Sequence, residues 1–156
     1  PKFKLHQFKW MQISVDASII KVVESCPKAQ HLNLTRLPKI TDKTMKAIAN
    51  AELNDLEYLN LYANATIEDP GFLAFGSTKN YSKLKFWTFV AAKICRMFGN
   101  LDGVKLLGIN LLQFDMVRIP TDRAIVEGVG QHLSKLELLS VYGLIHITDK
   151  SVEALL

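Results

Sequence analysis

The chain reads as an α/β solenoid, with a curved parallel sheet on its concave face and helices on its convex face. Three observations predict this. Spaced apolar triplets recur with a period in the twenties, a loop follows each, and an aspartate then opens a helix-like run. The clearest copies are Leu32-Asn33-Leu34 with Ile40-Thr41-Asp42-Lys43, and Leu139-Ser140-Val141 with Ile147-Thr148-Asp149-Lys150. Leu59-Asn60-Leu61 with Ile67-Glu68-Asp69 lies between them.

Anchoring each unit on an L-x-x-L-x-L pattern predicts about six repeats in a single domain over residues 1–156, starting near residues 5, 29, 56, 84, 104 and 136. The triads are Leu5/Phe8/Trp10, Ala29/Leu32/Leu34, Leu56/Leu59/Leu61, Leu84/Trp87/Phe89, Val104/Leu107/Ile109 and Leu136/Leu139/Val141. The last two steps are uneven but together span two ordinary units. This reads as a shortened fourth repeat and a loop inserted into the fifth around Gln113 to Pro120.

The physics of one unit accounts for the spacing. Alternating apolar residues make a short strand with one buried face, because side chains alternate across a strand. Ile40 turns the chain under the sheet, and Asp42 stands where a helix N-cap is wanted. Met45, Ile48 and Ala49 follow at helical spacing and pack onto the strand layer. The same order predicts helices opening near Asp16, Asp69, Asp122 and Asp149. In the fourth unit Met97 replaces the aspartate and Gly99-Asn100 closes the segment, so a loop or a single turn is expected there. The apolar finish at Leu155-Leu156 and the early first anchor imply a longer array or a covering partner, since repeat arrays need polar caps.

At 156 residues and 17.6 kDa the chain can bury a sizeable core. A net charge of +4 comes from Lys and Arg spread along the chain with no polybasic run, which argues against a nucleic-acid tail or a membrane-surface patch. The longest nearly apolar stretch, Leu106 to Leu112, is far too short to span a bilayer, so no membrane insertion is expected. Two cysteines, Cys26 and Cys95, make no disulfide framework and suggest a reducing compartment. Cys26 follows an apolar helix face, where an inert thiol is expected. Asn33, Asn64 and Asn80 head glycosylation-type triplets, which without a secretion signal read as coincidence.

No enzymatic constellation assembles. His6, His31, His132 and His146 lack metal-ligand spacing, and Gly128-Val129-Gly130 sits inside a helix-like run rather than between strand and helix. No catalytic residue, metal or cofactor is assigned. The aspartates at 16, 42, 69, 122 and 149 read as helix caps by their shared position.

The stretch Cys26-Pro27-Lys28-Ala29-Gln30-His31-Leu32-Asn33-Leu34, then Pro38-Lys39-Ile40-Thr41-Asp42-Lys43, resembles the cysteine-containing subclass of leucine-rich repeats. That subclass is typical of F-box leucine-rich-repeat proteins and of the antagonist-of-mitotic-exit-network family. Leu136 to Gly143, followed by Ile147 to Lys150, looks like the same unit late in such an array. The flanking cysteine survives only as Cys26. The resemblance implies a non-enzymatic protein-binding scaffold, the substrate-recognition repeat domain of an F-box type ubiquitin-ligase receptor. Ubiquitin-ligase components would then be contacted through a segment outside these residues. The alternative is a structural or assembly subunit of a large complex, including organellar ones. The compartment implied is cytoplasmic or nuclear, with the organellar matrix as the alternative.

A repeat stack usually binds along its strand surface. The expected protein-binding residues on the concave face are Lys9, His31, Asn33, Tyr58, Asn60, Tyr62, Phe86, Thr88, Asn110, Ser140 and Tyr142. They combine outward aromatics with amides and hydroxyls, a mixture found at protein-binding hot spots.

Overall fold

The computed structural model describes residues 4–5, 15–64, 66–78, 81–90, 112–117, 129–130, 134–140 and 147–156. Six strands form one parallel sheet in chain order: β1 (Lys4–Leu5), β2 (His31–Asn33), β3 (Tyr58–Leu61), β4 (Phe86–Val90), β5 (Gln113–Val117) and β6 (Leu138–Ser140). The helices are α1 (Val15–Ser25), α2 (Asp42–Asn50), α3 (Asp69–Gly76) and α4 (Asp149–Glu153). In chain order α1 packs on α2 and α2 on α3.

The strand register is regular. Leu5, Leu32, Leu59, Trp87, Phe114 and Leu139 occupy equivalent positions along the sheet. This corrects two expected units. Leu5 is the middle of its unit rather than its first anchor, so the Leu5/Phe8/Trp10 triad is misplaced. The fifth strand is Gln113–Val117, the segment expected to be an inserted loop, and Val104/Leu107/Ile109 lies outside the described residues. Both errors have one cause: the segments carry two overlapping apolar alternations, and only pairing with a neighbour decides which is used.

The expectation of a leucine-rich-repeat solenoid of about six repeats is also corrected. Four short helices accompany the sheet among the described residues, too few for six complete strand–helix units. The expected helix near Asp122 and the expected loop between Ile94 and Leu101 lie outside the described residues.

The core lies between the sheet and the helices. Leu32, Leu34, Leu59, Leu61 and Trp87 enter it from the strand segments, and Ile19, Val23, Met45, Ile48, Phe72 and Phe75 from the helices. Alternation places every second strand residue on the other face: β3 reads half-buried, buried, half-buried, buried. Trp87 is 1% exposed and packs with Phe72 and Phe75 at ring-centre distances of 6.3 and 5.6 Å. Cys26 is half-buried against this cluster, whereas Cys95 falls outside the described residues.

Helix starts depart from expectation in an informative way. Thr41 and Thr148, not the aspartates after them, are the N-caps of α2 and α4; their hydroxyls accept from the backbone N–H of Lys43 and Lys150. The aspartates sit in the first turn, where a negative charge suits the helix dipole. That position frees the Asp16 and Asp42 carboxylates to bind the next unit. Asp16 Oδ1 accepts from the Thr41 backbone N–H at 2.8 Å, and Asp42 Oδ1 accepts from that of Glu68 at 2.8 Å. Asn64, only 2% exposed, makes a comparable tie beneath the strands. Its Nδ2 donates to the Leu34 carbonyl at 2.8 Å, and its Oδ1 accepts from the Leu37 N–H at 2.8 Å.

Candidate functional site

The sheet face away from the helices gathers the expected residues that are described. One row carries His31, Tyr58 and Phe86 in consecutive register, continued by Gln113 and Leu138. A second row carries Asn33, Asn60, Thr88, Asp115 and Ser140. Parallel strands bring identical register positions to within stacking reach. His31 and Tyr58 accordingly stack with ring centres 5.7 Å apart and planes 23° from parallel, and Tyr58 meets Phe86 at 6.3 Å in a tilted contact.

The amides are fixed by local bonds. Asn33 Oδ1 accepts from the Thr35 N–H at 3.1 Å and from the Thr35 hydroxyl at 2.7 Å. Asn60 Oδ1 accepts from the Tyr62 N–H at 2.9 Å, and its Nδ2 donates to the Tyr58 hydroxyl at 3.1 Å. Each amide thus holds the residue two positions on, a geometry favoured by asparagine at turns. The chain then reverses through Arg36 and Ala63, both with positive φ (57° and 61°). Tyr62 stands proud of this scaffold at 40% exposure, while His31, Tyr58 and Phe86 are half-buried. His31 Nδ1 is buried with no hydrogen-bond partner among the described residues.

Two ion pairs edge the aromatic row where the chain enters the strands. Lys83 lies 2.5 Å from Asp55 and Lys85 3.1 Å from Glu57. The Asp55 carboxylate raises the pKa of the Lys83 ammonium above its ordinary value by hydrogen bonding and by charge.

Of the expected residues, His31, Asn33, Tyr58, Asn60, Phe86, Thr88 and Ser140 share this face, and Tyr62 follows β3 beside it. Lys9, Asn110 and Tyr142 lie outside the described residues. In the sheet register Lys4 pairs with His31, and Asp115 pairs with Thr88. Sequence reasoning missed the contacts of the Asp16 carboxylate on the helix side. Asp16 receives two threonine hydroxyls, Thr41 at 2.7 Å and Thr44 at 2.5 Å. Burial would raise its pKa, but the hydroxyls of Thr44 and Thr41, the Thr41 N–H and the charge of Lys43 outweigh it and hold the carboxyl below its ordinary value. The signal available in the sequence was Thr41 and Thr44 standing one unit after Asp16.

The expected protein ligand on a concave face is corrected by this arrangement. The described strands make an open sheet with no concave repeat surface. No protein-family model and no curated protein matches the chain. The assignment to F-box leucine-rich-repeat proteins or the antagonist-of-mitotic-exit-network family is therefore withdrawn. The ubiquitin-ligase receptor role and the complex-subunit alternative drawn from it go with it. Among the described residues, no group of three His, Cys, Asp or Glu side chains is placed to hold a metal ion. No helix among them is long and apolar enough to cross a membrane.

Proposed function

We propose that this chain is a non-catalytic recognition module whose contact surface is the helix-free face of the sheet. The observation that carries this reading is the His31–Tyr58–Phe86 row beside the Asn33–Asn60 row, with Tyr62 exposed next to it. Aromatic rings held in place by packing present contact area at little cost in conformational entropy, and fixed amides offer directional hydrogen bonds. Such a face suits a ligand that combines flat or apolar groups with hydrogen-bonding groups. The helix-side carboxylates support the same division of labour, because Asp16 and Asp42 are spent on joining units rather than poised for chemistry. A cytoplasmic or nuclear setting fits the two cysteines, with the organellar matrix as the alternative; cell fractionation distinguishes them.

A fragment screen followed by NMR of labelled aromatic and amide side chains tests the reading. Fragment-induced shifts are expected to cluster on Tyr58, Asn60, Tyr62 and Phe86 and to vanish in Tyr62→Ala, which leaves the fold intact. Shifts clustering instead on Lys43 and Lys46 of α2 overturn the choice of face. Turnover of any substrate in a hydrolase and transferase panel overturns the non-catalytic reading.

A further inference from the structure

The hydrogen bonds that fix the sheet face divide its polar atoms unevenly. Asn33 Oδ1 and Asn60 Oδ1 must be the amide atoms that meet the backbone N–H groups of Thr35 and Tyr62, because only an oxygen can accept there. The acceptors of both side chains are therefore engaged within the chain. Their donors are not. Asn33 Nδ2 makes no bond among the described residues. Asn60 Nδ2 gives one of its two protons to the Tyr58 hydroxyl, whose own proton then has no acceptor among the described residues. A proton on the buried His31 Nδ1 would be stranded, so the neutral ring carries it on Nε2. Across β2 and β3 the unengaged polar groups of this face are donors: His31 Nε2, Asn33 Nδ2, the Tyr58 hydroxyl and the second proton of Asn60 Nδ2.

The rings and the charges point the same way. His31 and Tyr58 stack with their faces turned to each other, which leaves the ring rims, the positive part of the quadrupole, for a ligand. Residues 31–37 and 58–64 contain no Asp or Glu. Exposed Arg36 follows Thr35, forms no ion pair among the described residues, and lies against Tyr62 through a backbone bond of 2.8 Å. Glu57, next to Tyr58, is already bonded to Lys85. Asp115 stands two strands beyond Asn60 in the same row, about 10 Å away by strand spacing.

We propose that the β2–β3 part of this face selects a small organic acid, its carboxylate taken by these donors and its flat apolar body laid against Tyr62. A carboxylate is acceptor-only, the complement of a surface whose own acceptors are engaged. Bonds from N–H and O–H groups to an ionised oxygen are also roughly twice as strong as neutral ones. Tyr62, at 40% exposure, is the aromatic side chain that stands clear of the row. The assignment rests on the recognition reading above and adds to it the sign and the chemistry of the ligand. Asn33 and Asn60 set that specificity, because their bonds to Thr35 and Tyr62 hold the donor end free.

NMR of the side-chain amide groups of Asn33 and Asn60 in the 156-residue chain tests this, with naphthoate, naphthamide, naphthylmethylamine and inorganic phosphate as probes. Naphthoate is expected to move both amide signals and the Tyr62 ring, with naphthamide about tenfold weaker and the amine without effect. Asn33→Asp keeps the acceptor for Thr35 but turns the free donor into a like charge, and should weaken naphthoate binding about tenfold or more. Tyr58→Phe removes one donor and should weaken it about tenfold. Both variants are checked for folding by circular dichroism, and Tyr58→Phe carries the test if Asn33→Asp does not fold. Equal binding of naphthoate and naphthamide, or preference for the amine, overturns the proposal. Phosphate binding as well as naphthoate overturns the organic-acid assignment in favour of a bare oxoanion site. If naphthoate moves nothing while neutral fragments still shift Tyr58 and Tyr62, acid selectivity is wrong and the recognition reading stands. If no probe or fragment shifts this face, both fall.

Discussion

The carboxylate of Asp16 grips Thr41 of the following helix twice, accepting its backbone N–H at 2.8 Å and its hydroxyl at 2.7 Å. Thr41 simultaneously accepts from Lys43 N–H as the cap of α2. One side chain thus ends a loop, starts a helix and fastens two units together. Asp16→Asn keeps the shape but removes the charge and part of the acceptor capacity that faces the hydroxyls. It should cost about 1–2 kcal/mol in urea denaturation, the range for charge-assisted bonds that are partly solvated.

That tie also sets an acid limit. The Asp16 carboxyl is held below its ordinary value in the folded chain, so the unfolded chain binds its proton more tightly. Its contribution is complete above the unfolded value near 3.8 and is lost as pH falls through the lower folded value. Asp16→Asn should therefore show a shallower loss of stability on acidification than the unmodified chain. Parallel acid-unfolding curves for the two proteins would remove Asp16 from this role.

Asn64 is the second fastening, and it is buried. Replacing it with alanine strands both the Leu34 carbonyl and the Leu37 N–H away from water, at about 1–3 kcal/mol for each orphaned group. Asn64→Ala should therefore be more damaging than Asp16→Asn, by urea midpoint at unchanged slope. Asn64→Asp keeps the acceptor for Leu37 and loses the donor to Leu34, and should fall at least as far because it also buries a charge.

Much of the strand layer was legible because Leu32/Leu34, Leu59/Leu61 and Trp87/Phe89 alternate cleanly between turn-forming stretches. Residues 113–117 were not, because Leu107 and Ile109 offer an equally good alternation a few residues earlier. Only the pairing of Phe114 with Trp87 and Leu139 decides between them. The face residues of β2, β3 and β4 followed from the same alternation, whereas Lys4 and Asp115 were found only from the observed register with His31 and Thr88. The aspartates were found as helix starts but misread as caps. Capping is local and leaves a mark within four residues, whereas the contact from Asp16 to Thr41 spans 25. The family resemblance rested on short motifs whose leucines, Thr41 and Asp42 any stacked strand–helix unit needs for its own packing.

Gly71 illustrates how closely α2 and α3 approach. A Cβ at this position would lie 2.5 Å from Asp42 Oδ1 and 3.1 Å from Met45 Cβ, with the Asp42 Cα at 3.2 Å. Gly71→Ala gains helix propensity but must push α3 away from α2 or displace the carboxylate that binds Glu68 N–H. The expected net is a loss of about 1–3 kcal/mol, as for overpacking elsewhere. In a double-mutant cycle with Asp42→Ala the two losses should be less than additive, because removing the carboxylate relieves the shortest contact. Full additivity would locate the strain at Met45 instead.

Tyr81 closes the helix-side core, with its ring 4.5 Å from that of Phe75 and its hydroxyl donating to the Ile48 carbonyl. At 6% exposure its phenolate would be cut off from water, and burial pushes its pKa well above the ordinary 10.0. The unfolded chain therefore releases this proton first. Stability from the neutral phenol is present below pH 10 and is lost as pH rises toward the folded value. In an alkaline titration followed by tyrosinate absorbance, one step should appear only together with unfolding. Tyr81→Phe keeps the ring packing and removes the hydroxyl, so that late step should vanish while alkaline unfolding moves to higher pH. The same variant should lose about 1–2 kcal/mol at neutral pH, because the Ile48 carbonyl is left without this donor. A late tyrosinate step that persists in Tyr81→Phe would assign it to another tyrosine and remove Tyr81 from the alkaline limit.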